Sequence, residues 1–559
     1  MSSAASTPAS FILQSYNVFN NNIAQSPNNI LNFLQDYRGK VIDPAQITEQ
    51  TSQQEFSSQT DKSNSSVETK SSFAVSVGIE GSYSFFSGSV QANYNKETYQ
   101  SSTAFNFGFG ATLRCGSVYF NHSSDVEVIK SYLTSDLLKD LQGINSLASA
   151  ANFTNHYGTH LVLGVYLGGA LYVSIAANTT SESSKTSMDL AVTAQYKSVA
   201  SVTATAKVTS SLESTYKTDQ YHSEVKAIGG SSAVAANMDV NDPKTYAAWA
   251  ETCTASTVSG VSQSKEFWEL ATAGSTAQKF LQLYVQLKVL MQSINYPSYF
   301  SSTISVLPRQ ENLVEVTVGQ DYKIISGGVS VTAGSPNYLL GCYPSVDQNN
   351  TITGWTAASH DHSFPADPGT QTLTSYAIAI YDPGNLLKVK LSSASGTNPG
   401  IGGDTATAAI ADDYILTGGG AQANWTEGEC KFLMQSYPNA DVSAKSWTGM
   451  IHDYGSAARN VPLTVYAIGV YSEYLSITSQ ITKQPIYNVQ HGNAVAKAVT
   501  AIAGGGVKVS DVTGMGNLVQ SNAPSSAQTW SEYNSDMEGN VSPGNATAYA
   551  IQLSASLRS

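Results

Sequence analysis

Tyr157-Gly158-Thr159-His160-Leu161-Val162-Leu163-Gly164-Val165-Tyr166-Leu167-Gly168-Gly169 is the stretch on which the reading of this chain turns. The word YGTH is followed by seven residues, LVLGVYL, and then by a glycine pair. The uncharged run from Leu161 to Ala177 is marginal in length for a membrane-crossing helix. It is also interrupted by Gly164, Gly168 and Gly169. Its β-branched and aromatic content predicts a long buried strand instead. Glycines inside a strand permit a bend or a close backbone approach. Leu133-Thr134-Ser135-Asp136-Leu137-Leu138 lies upstream. A second pair, Gly229-Gly230, lies downstream and is followed by Trp249.

Two stretches with period-two alternation flank this segment. The first, about 71–109, sets Phe73, Val75, Val77 and Ile79 among small polar residues, then Val90, Ala92 and Tyr94, then Phe105, Phe107 and Phe109. The second, about 186–208, places Met188, Leu190, Val192, Ala194 and Tyr196 on one face. Val202, Ala204, Ala206 and Val208 resume the pattern after a break. Extended chain with this pattern has one apolar and one polar face. Such runs fit half-buried strands of a sheet. They also fit transmembrane strands of roughly 9–11 residues, apolar side to lipid and polar side to a lumen.

Taken together, YGTH, the two glycine pairs and Trp249 resemble the membrane attack complex/perforin family. Leu161 stands where that family carries an aromatic residue. The resemblance covers roughly residues 30–295 and implies an α+β fold with a bent central antiparallel sheet flanked by helical clusters. It implies that segments 71–109 and 186–208 are helical in the soluble monomer and refold into membrane hairpins. It implies a structural part for Tyr157, Gly158, Thr159, His160, Gly168, Gly169, Gly229, Gly230 and Trp249. His160 is read as a hydrogen-bonded core histidine with no catalytic role. The segment STAQKFLQLYVQLKVLMQSI sets Phe280, Leu283, Tyr284, Leu287, Leu290 and Met291 on one helical stripe, and Pro297 follows as a boundary. The first domain is expected over 1–315.

The rest of the chain, 316–559, repeats internally. Ile325-Ser326-Gly327-Gly328, Leu416-Thr417-Gly418-Gly419 and Ile502-Ala503-Gly504-Gly505 open the units; Trp355, Trp447 and Trp530 mark their middles. Tyr376-Ala377-Ile378, Tyr466-Ala467-Ile468 and Tyr549-Ala550-Ile551 close them. Repeats at about 320–385, 410–475 and 495–555 predict an all-β pseudo-threefold domain of the β-prism or trefoil kind. Asp361, Asp453 and Asp536 follow the three tryptophans at one spacing. They read either as loop carboxylates capping their own backbone or, with Trp355, Trp447 and Trp530, as glycan-binding positions. His360-Asp361-His362 is a weak hint of metal, without a complete ligand shell.

Bulk properties narrow the function. Charged residues are only 12% of the 559 and the net charge is −13, so no basic stripe is offered to nucleic acid or to anionic lipid. The four cysteines have neither metal nor redox spacing, and no cofactor motif or catalytic word is present. The N-terminal MSSAASTPASFILQSYNVFN lacks the pattern of a signal peptide. The expectation is a soluble chain, cytoplasmic or released from its cell, that then acts at a target-cell membrane. There it binds through its C-terminal domain, self-associates into a ring and inserts two hairpins per subunit. A glycan or protein receptor or a second toxin component would assist, in a defensive and insecticidal setting. The alternative is a non-lytic carbohydrate-binding protein on an inert perforin-like fold.

Overall fold

The computed structural model describes residues 7–19, 31, 33–63, 105–177, 221–238, 243–307, 310–332, 337–361, 371–396 and 403–424. It continues with 431–440, 444–453, 461–489, 491–510, 517–526, 528–535 and 543–558. At several strand ends, among them 58–63, 105–109, 172–177 and 221–224, the backbone alone is described. The chain divides into two compact units, Met1–Val289 and Leu290–Ser559. The division falls well before the expected boundary at 315, because Ser298–Ser305 is already a strand of the second unit's sheets.

The first unit is built on one antiparallel sheet. Its strands are β1 (Ser15–Tyr16), β2 (Ile47–Ser63), β3 (Phe105–Phe120), β4 (His160–Ala177), β5 (Tyr221–Gly229) and β6 (Val258–Glu266). The order is β1-β4-β3-β2, and β4 also pairs with both β5 and β6. Helices α1 (Val126–Lys130), α2 (Ser135–Gln142) and α3 (Leu147–Tyr157) connect β3 to β4. Helix α2 begins where Thr134 accepts from the Leu137 amide, and it buries Leu137 and Leu141. Helix α3 starts with a capping box between Ser146 and Ser149, in which each hydroxyl accepts from the other residue's amide. Short helices α4 (Ser232–Ala235), α5 (Pro243–Ala250) and α6 (Phe267–Leu270) follow, then the long α7 (Thr276–Asn295). Helix α7 buries Leu281, Tyr284, Val285, Leu287, Val289, Leu290 and Ile294. That face is broader than the expected stripe, whose Phe280, Leu283 and Met291 are only half-buried.

The second unit consists of three six-strand repeats. The first contributes β7 (Ser298–Ser305), β8 (Asn312–Thr317), β9 (Tyr322–Val331), β10 (Asn337–Val346), β11 (Ile352–Asp361) and β12 (Thr372–Tyr381). The second contributes β13 (Leu387–Ser395), β14 (Gly403–Ala409), β15 (Ile415–Ala423), β16 (Lys431–Pro438), β17 (Ser446–Asp453) and β18 (Leu463–Ser472). The third begins with β19 (Leu475–Val489) and a second strand split into β20 (His491–Gly492) and β21 (Val495–Lys497). It ends with β22 (Ile502–Ser510), β23 (Leu518–Ser526), β24 (Thr529–Ser535) and β25 (Gly544–Leu557). Each repeat is therefore longer than the sequence words suggested, because two outer strands precede each glycine word.

No repeat owns a sheet. The three sheets run β13-β18-β15-β10-β11-β8, β20-β24-β23-β9-β12-β7 and β14-β17-β16-β22-β25-β19, so each is shared by two repeats. The junctions are equivalent: β10 with β15, β16 with β22, and β23 with β9. One apolar core is lined from all three sheets and includes Trp355, Trp447, Val329, Leu433 and Val519.

The glycine words set these junctions. A Cβ on Gly327, Gly419 or Gly505 would lie 2.2–2.4 Å from the ring of Trp355, Trp447 or Trp530. A Cβ on the next residue, Gly328, Gly420 or Gly506, would meet the neighbouring repeat's backbone carbonyl at 2.8, 2.3 or 2.5 Å. The equivalent pairs are thus Gly327-Gly328, Gly419-Gly420 and Gly505-Gly506. This is one residue later in the second and third repeats than the sequence words imply. The register agrees, with Ile325, Thr417 and Ala503 each bulged out of pairing at the same place.

Candidate functional site

The signature forms a buried corner where α3 meets β4. Gly158 ends α3 at φ 92, and a Cβ there would stand 2.6 Å from the Tyr16 carbonyl. Only glycine tolerates that combination of a positive φ and a close backbone approach. The Thr159 amide donates to Tyr16 O at 2.8 Å, and its hydroxyl accepts from the Val18 amide at 3.0 Å. The Phe267 amide donates to Thr159 O at 3.0 Å. Thr159 thereby ties the N-terminal strand, β4 and α6 together. Tyr157 donates its phenol to Asp140 at 2.8 Å, and burial pushes its pKa up to about 12.

His160 is fully buried. Its ring stacks on Tyr16 at 5.2 Å and meets the Trp268 edge at 5.9 Å, while Nδ1 lies 2.8 Å from the Thr159 hydroxyl. Burial drives its pKa down to about 3, so the imidazole is neutral. Glu266, its cross-strand neighbour, has a carboxylate oxygen 3.8 Å from His160 Nε2 and is pushed up to about 7 by burial. This corner clamps three chain segments. Among the described residues no group of three His, Cys, Asp or Glu side chains could hold a metal.

Eight residues along β4, the sheet bends. Strand β4 pairs with β6 up to Leu167 and with β5 from Gly169 onward, so its neighbour changes at Gly168. All three long strands are irregular at this level: β2 between Thr51 and Glu55, β3 between Arg114 and Gly116, and β4 opposite that break. Gly116 and Gly168 adopt φ 132 and 114, and a Cβ on either would lie 1.9 Å from a carbonyl of the adjoining strand. Helix α5 packs over the bend. Trp249 is buried and donates its indole proton to Gly229 O at 3.1 Å. A Cβ on Gly169 would lie 2.2 Å from Cys253 Sγ and 3.0 Å from the Trp249 ring. Gly230 faces the same two side chains at 3.0 and 2.9 Å. The signature residues thus form two groups: Tyr157 to His160 at the corner, and Gly168, Gly169, Gly229, Gly230 and Trp249 at the bend.

The far end of the sheet is level. Ser63 pairs with Asn106, Phe105 with Ala177, and Ala177 with Tyr221, so β2, β3, β4 and β5 stop together. From this level the chain leaves β2 and returns as β3, then leaves β4 and returns as β5. Both alternating segments are these connections. Phe73, Val75, Val77, Ile79, Val90, Ala92 and Tyr94 lie outside the described residues. So do Met188, Leu190, Val192, Ala194, Tyr196, Val202, Ala204, Ala206 and Val208. Phe105 and Phe107 are described as backbone of β3.

The glycan reading of the tryptophans does not hold. Trp355, Trp447 and Trp530 are all 0% exposed, so no ring face is available to a sugar. Their indole protons go to Cys342 Sγ at 3.1 Å, Ser436 Oγ at 3.0 Å and Asn522 Oδ1 at 2.7 Å, at equivalent positions of the three repeats. Asp361 and Asp453 end their strands, with only the backbone described, and Asp536 lies outside the described residues.

Sequence reasoning did not find Gly116, Tyr16, Trp268 or Glu266. Gly116 carried no signal, because a lone glycine in RCGS has no partner word. The others are recognised only through the pairing of distant strands.

Residues 11–259 match the family model for the MAC/Perforin domain. Solved structures similar to this chain include GNIP1Aa from Chromobacterium piscinae, at 13% identity and TM-score 0.37, covering 89% of both chains. A protein with a MAC/Perforin domain from Bacteroides thetaiotaomicron is 12% identical, with TM-score 0.35, over 51% of this chain and 62% of that one. Astrotactin-2, a vertebrate-specific perforin-like membrane protein, is 11% identical, with TM-score 0.27, over 51% and 57%. No curated protein sequence matches the chain. Among the described residues no helix is long and apolar enough to cross a membrane.

Proposed function

We propose that this chain, whose residues 11–259 match the family model for the MAC/Perforin domain, is a pore-forming cytolysin. The observation that carries the reading is the level end of the sheet. Residues 64–104 and 178–220 each join two strands that are already paired. Extended, each segment would prolong an existing ladder as a hairpin, with ample length for two strands of roughly 9–11 residues. Their alternation supplies a lipid face and a lumen face. Pairing within and between subunits closes every strand edge, which a bilayer requires.

In this mechanism the C-terminal unit, a β-prism-like assembly of three shared sheets, engages a target membrane or a receptor on it. Monomers then associate through their central sheets into a ring. The sheet straightens at Gly116, Gly168-Gly169 and Gly229-Gly230, and segments 71–109 and 186–208 enter the membrane as hairpins. Defence, including action against insects, is the setting proposed.

The test is release of graded dextrans from mixed-lipid vesicles and from susceptible cells. Release of large dextrans with ring-shaped oligomers on the membrane is expected. Stable binding to membranes without release from any of them would overturn the reading and favour an inert, surface-binding protein.

A further inference from the structure

The chain places two thiols at the bend and buries both. Cys115 sits in the β3 irregularity between Arg114 and Gly116, and Cys253 lies just past α5; they are 6% and 4% exposed. Cys115 Sγ is 3.7 Å from the Cys253 carbonyl oxygen, and Cys253 Sγ donates to Trp249 O at 3.6 Å. Both cysteines are free. A disulfide needs Cα atoms within about 4.4–6.8 Å. The contact of the Cys115 sulfur with the Cys253 main chain brings the two residues together at the bend. Cys253 Sγ packs against Gly169 and Gly230, in the space that their missing Cβ atoms leave. Gln54, from the irregular part of β2, donates to the same Cys253 carbonyl at 3.4 Å. The α5 corner is thus held to β2, β3 and β4 at one point.

We propose that Cys115 and Cys253 form an oxidisable pair whose disulfide staples the α5 corner across the bend of the sheet. The consequence for pore opening rests on the function proposed above.

The oxidant is a peroxide. The Cys115 thiolate attacks one peroxide oxygen, the O–O bond breaks, and the departing hydroxide takes up a proton to leave as water. Cys115 is then a sulfenic acid. The Cys253 sulfur attacks it, the S–O bond breaks, the S–S bond forms, and a second water leaves with the Cys253 proton. The pair gives two electrons and two hydrogens; the peroxide becomes two waters. Burial raises both thiol pKa values, Cys253 to about 12, which makes the reaction slow. Straightening at Gly168-Gly169 must change the position of Cys253 against the strands, and the covalent link forbids that change. Reduction restores it.

The experiment treats the full-length protein with hydrogen peroxide, alkylates remaining thiols, and maps peptides without reduction. A Cys115–Cys253 linked peptide is expected, lighter by two hydrogens. Dye release from vesicles is expected to fall about tenfold or more and to return with dithiothreitol, as for a gated conformational step. Cys115→Ala is expected to release dye and to ignore peroxide. No linked peptide with both thiols still alkylated, or a linked protein with undiminished release, would overturn the proposal. If untreated protein releases nothing, the pore reading fails by itself. The linked peptide and a higher denaturation midpoint in solution then decide the thiol pair alone.

Discussion

At the scale of single residues, buried polar groups carry the sharpest expectations. Glu532 is fully buried in β24, where the first and second repeats have Ala357 and Gly449. Its carboxylate accepts from the Ala494 amide at 2.9 Å while its own amide donates to Ala494 O at 3.0 Å. It bridges the break between β20 and β21 where the edge strand has split. Burial pushes its pKa up to about 7, so the folded state holds the proton longer than the unfolded chain, which loses it near 4.5. The stabilisation is complete below pH 4.5 and is lost as pH rises through 7. The Glu532 contribution should fall across this window by about 3 kcal/mol, read as the difference in stability between the parent chain and Glu532→Gln at each pH. His160 works in the opposite sense: held neutral with a pKa near 3, it costs stability as pH falls from 6.5 toward 3. Gly168→Val should cost roughly 3 kcal/mol or more, because it combines a positive φ with backbone overlap. A smaller loss in urea titrations would mean that the bend relaxes.

At the scale of elements, the glycine and tryptophan words prove to be one device. Each Trp fills a space that a glycine leaves on a strand of its own repeat in another sheet, and the next glycine admits the backbone of the preceding repeat, the third preceding the first around the threefold. Trp447→Ala should therefore cost roughly 3–5 kcal/mol as a core cavity, with no sugar affinity to lose. Equal stability with reduced binding on a glycan array would contradict this. Repetition was legible because identical packing problems were solved with identical words. What was not legible is the swap at the split edge. Asn312 and Asp404 occupy one position in the first two repeats; the third has Gly492 there, and Asn534 reaches across from β24 so that its amide oxygen would stand 2.1 Å from a Cβ on Gly492. Such an exchange between strands conserves a buried polar group in space and not in sequence. For the same reason the corner of Tyr157 to His160 could be recognised as a word, but its partners Tyr16, Glu266 and Trp268 could not. On segment 186–208, Val192→Lys should leave the soluble fold and membrane binding intact and sharply reduce release. On a lipid-facing strand the lysine costs roughly 2–4 kcal/mol near the bilayer midplane.

At the scale of the molecule, four strands of one sheet end at one level, and two alternating segments leave from that level. A period-two pattern alone would describe a soluble strand just as well; the paired strands at both ends of each segment are what make a hairpin continuous with the sheet. The most direct measurement places an environment-sensitive fluorophore on single cysteines at successive positions 188–196, in a chain whose native cysteines are replaced, and reads emission before and after membrane lysis. The account predicts that Met188, Leu190, Val192, Ala194 and Tyr196 move into an apolar environment while Asp189, Ala191, Thr193 and Gln195 stay in water. Unchanged emission at every position during dye release, or a helical period in place of two, would contradict it.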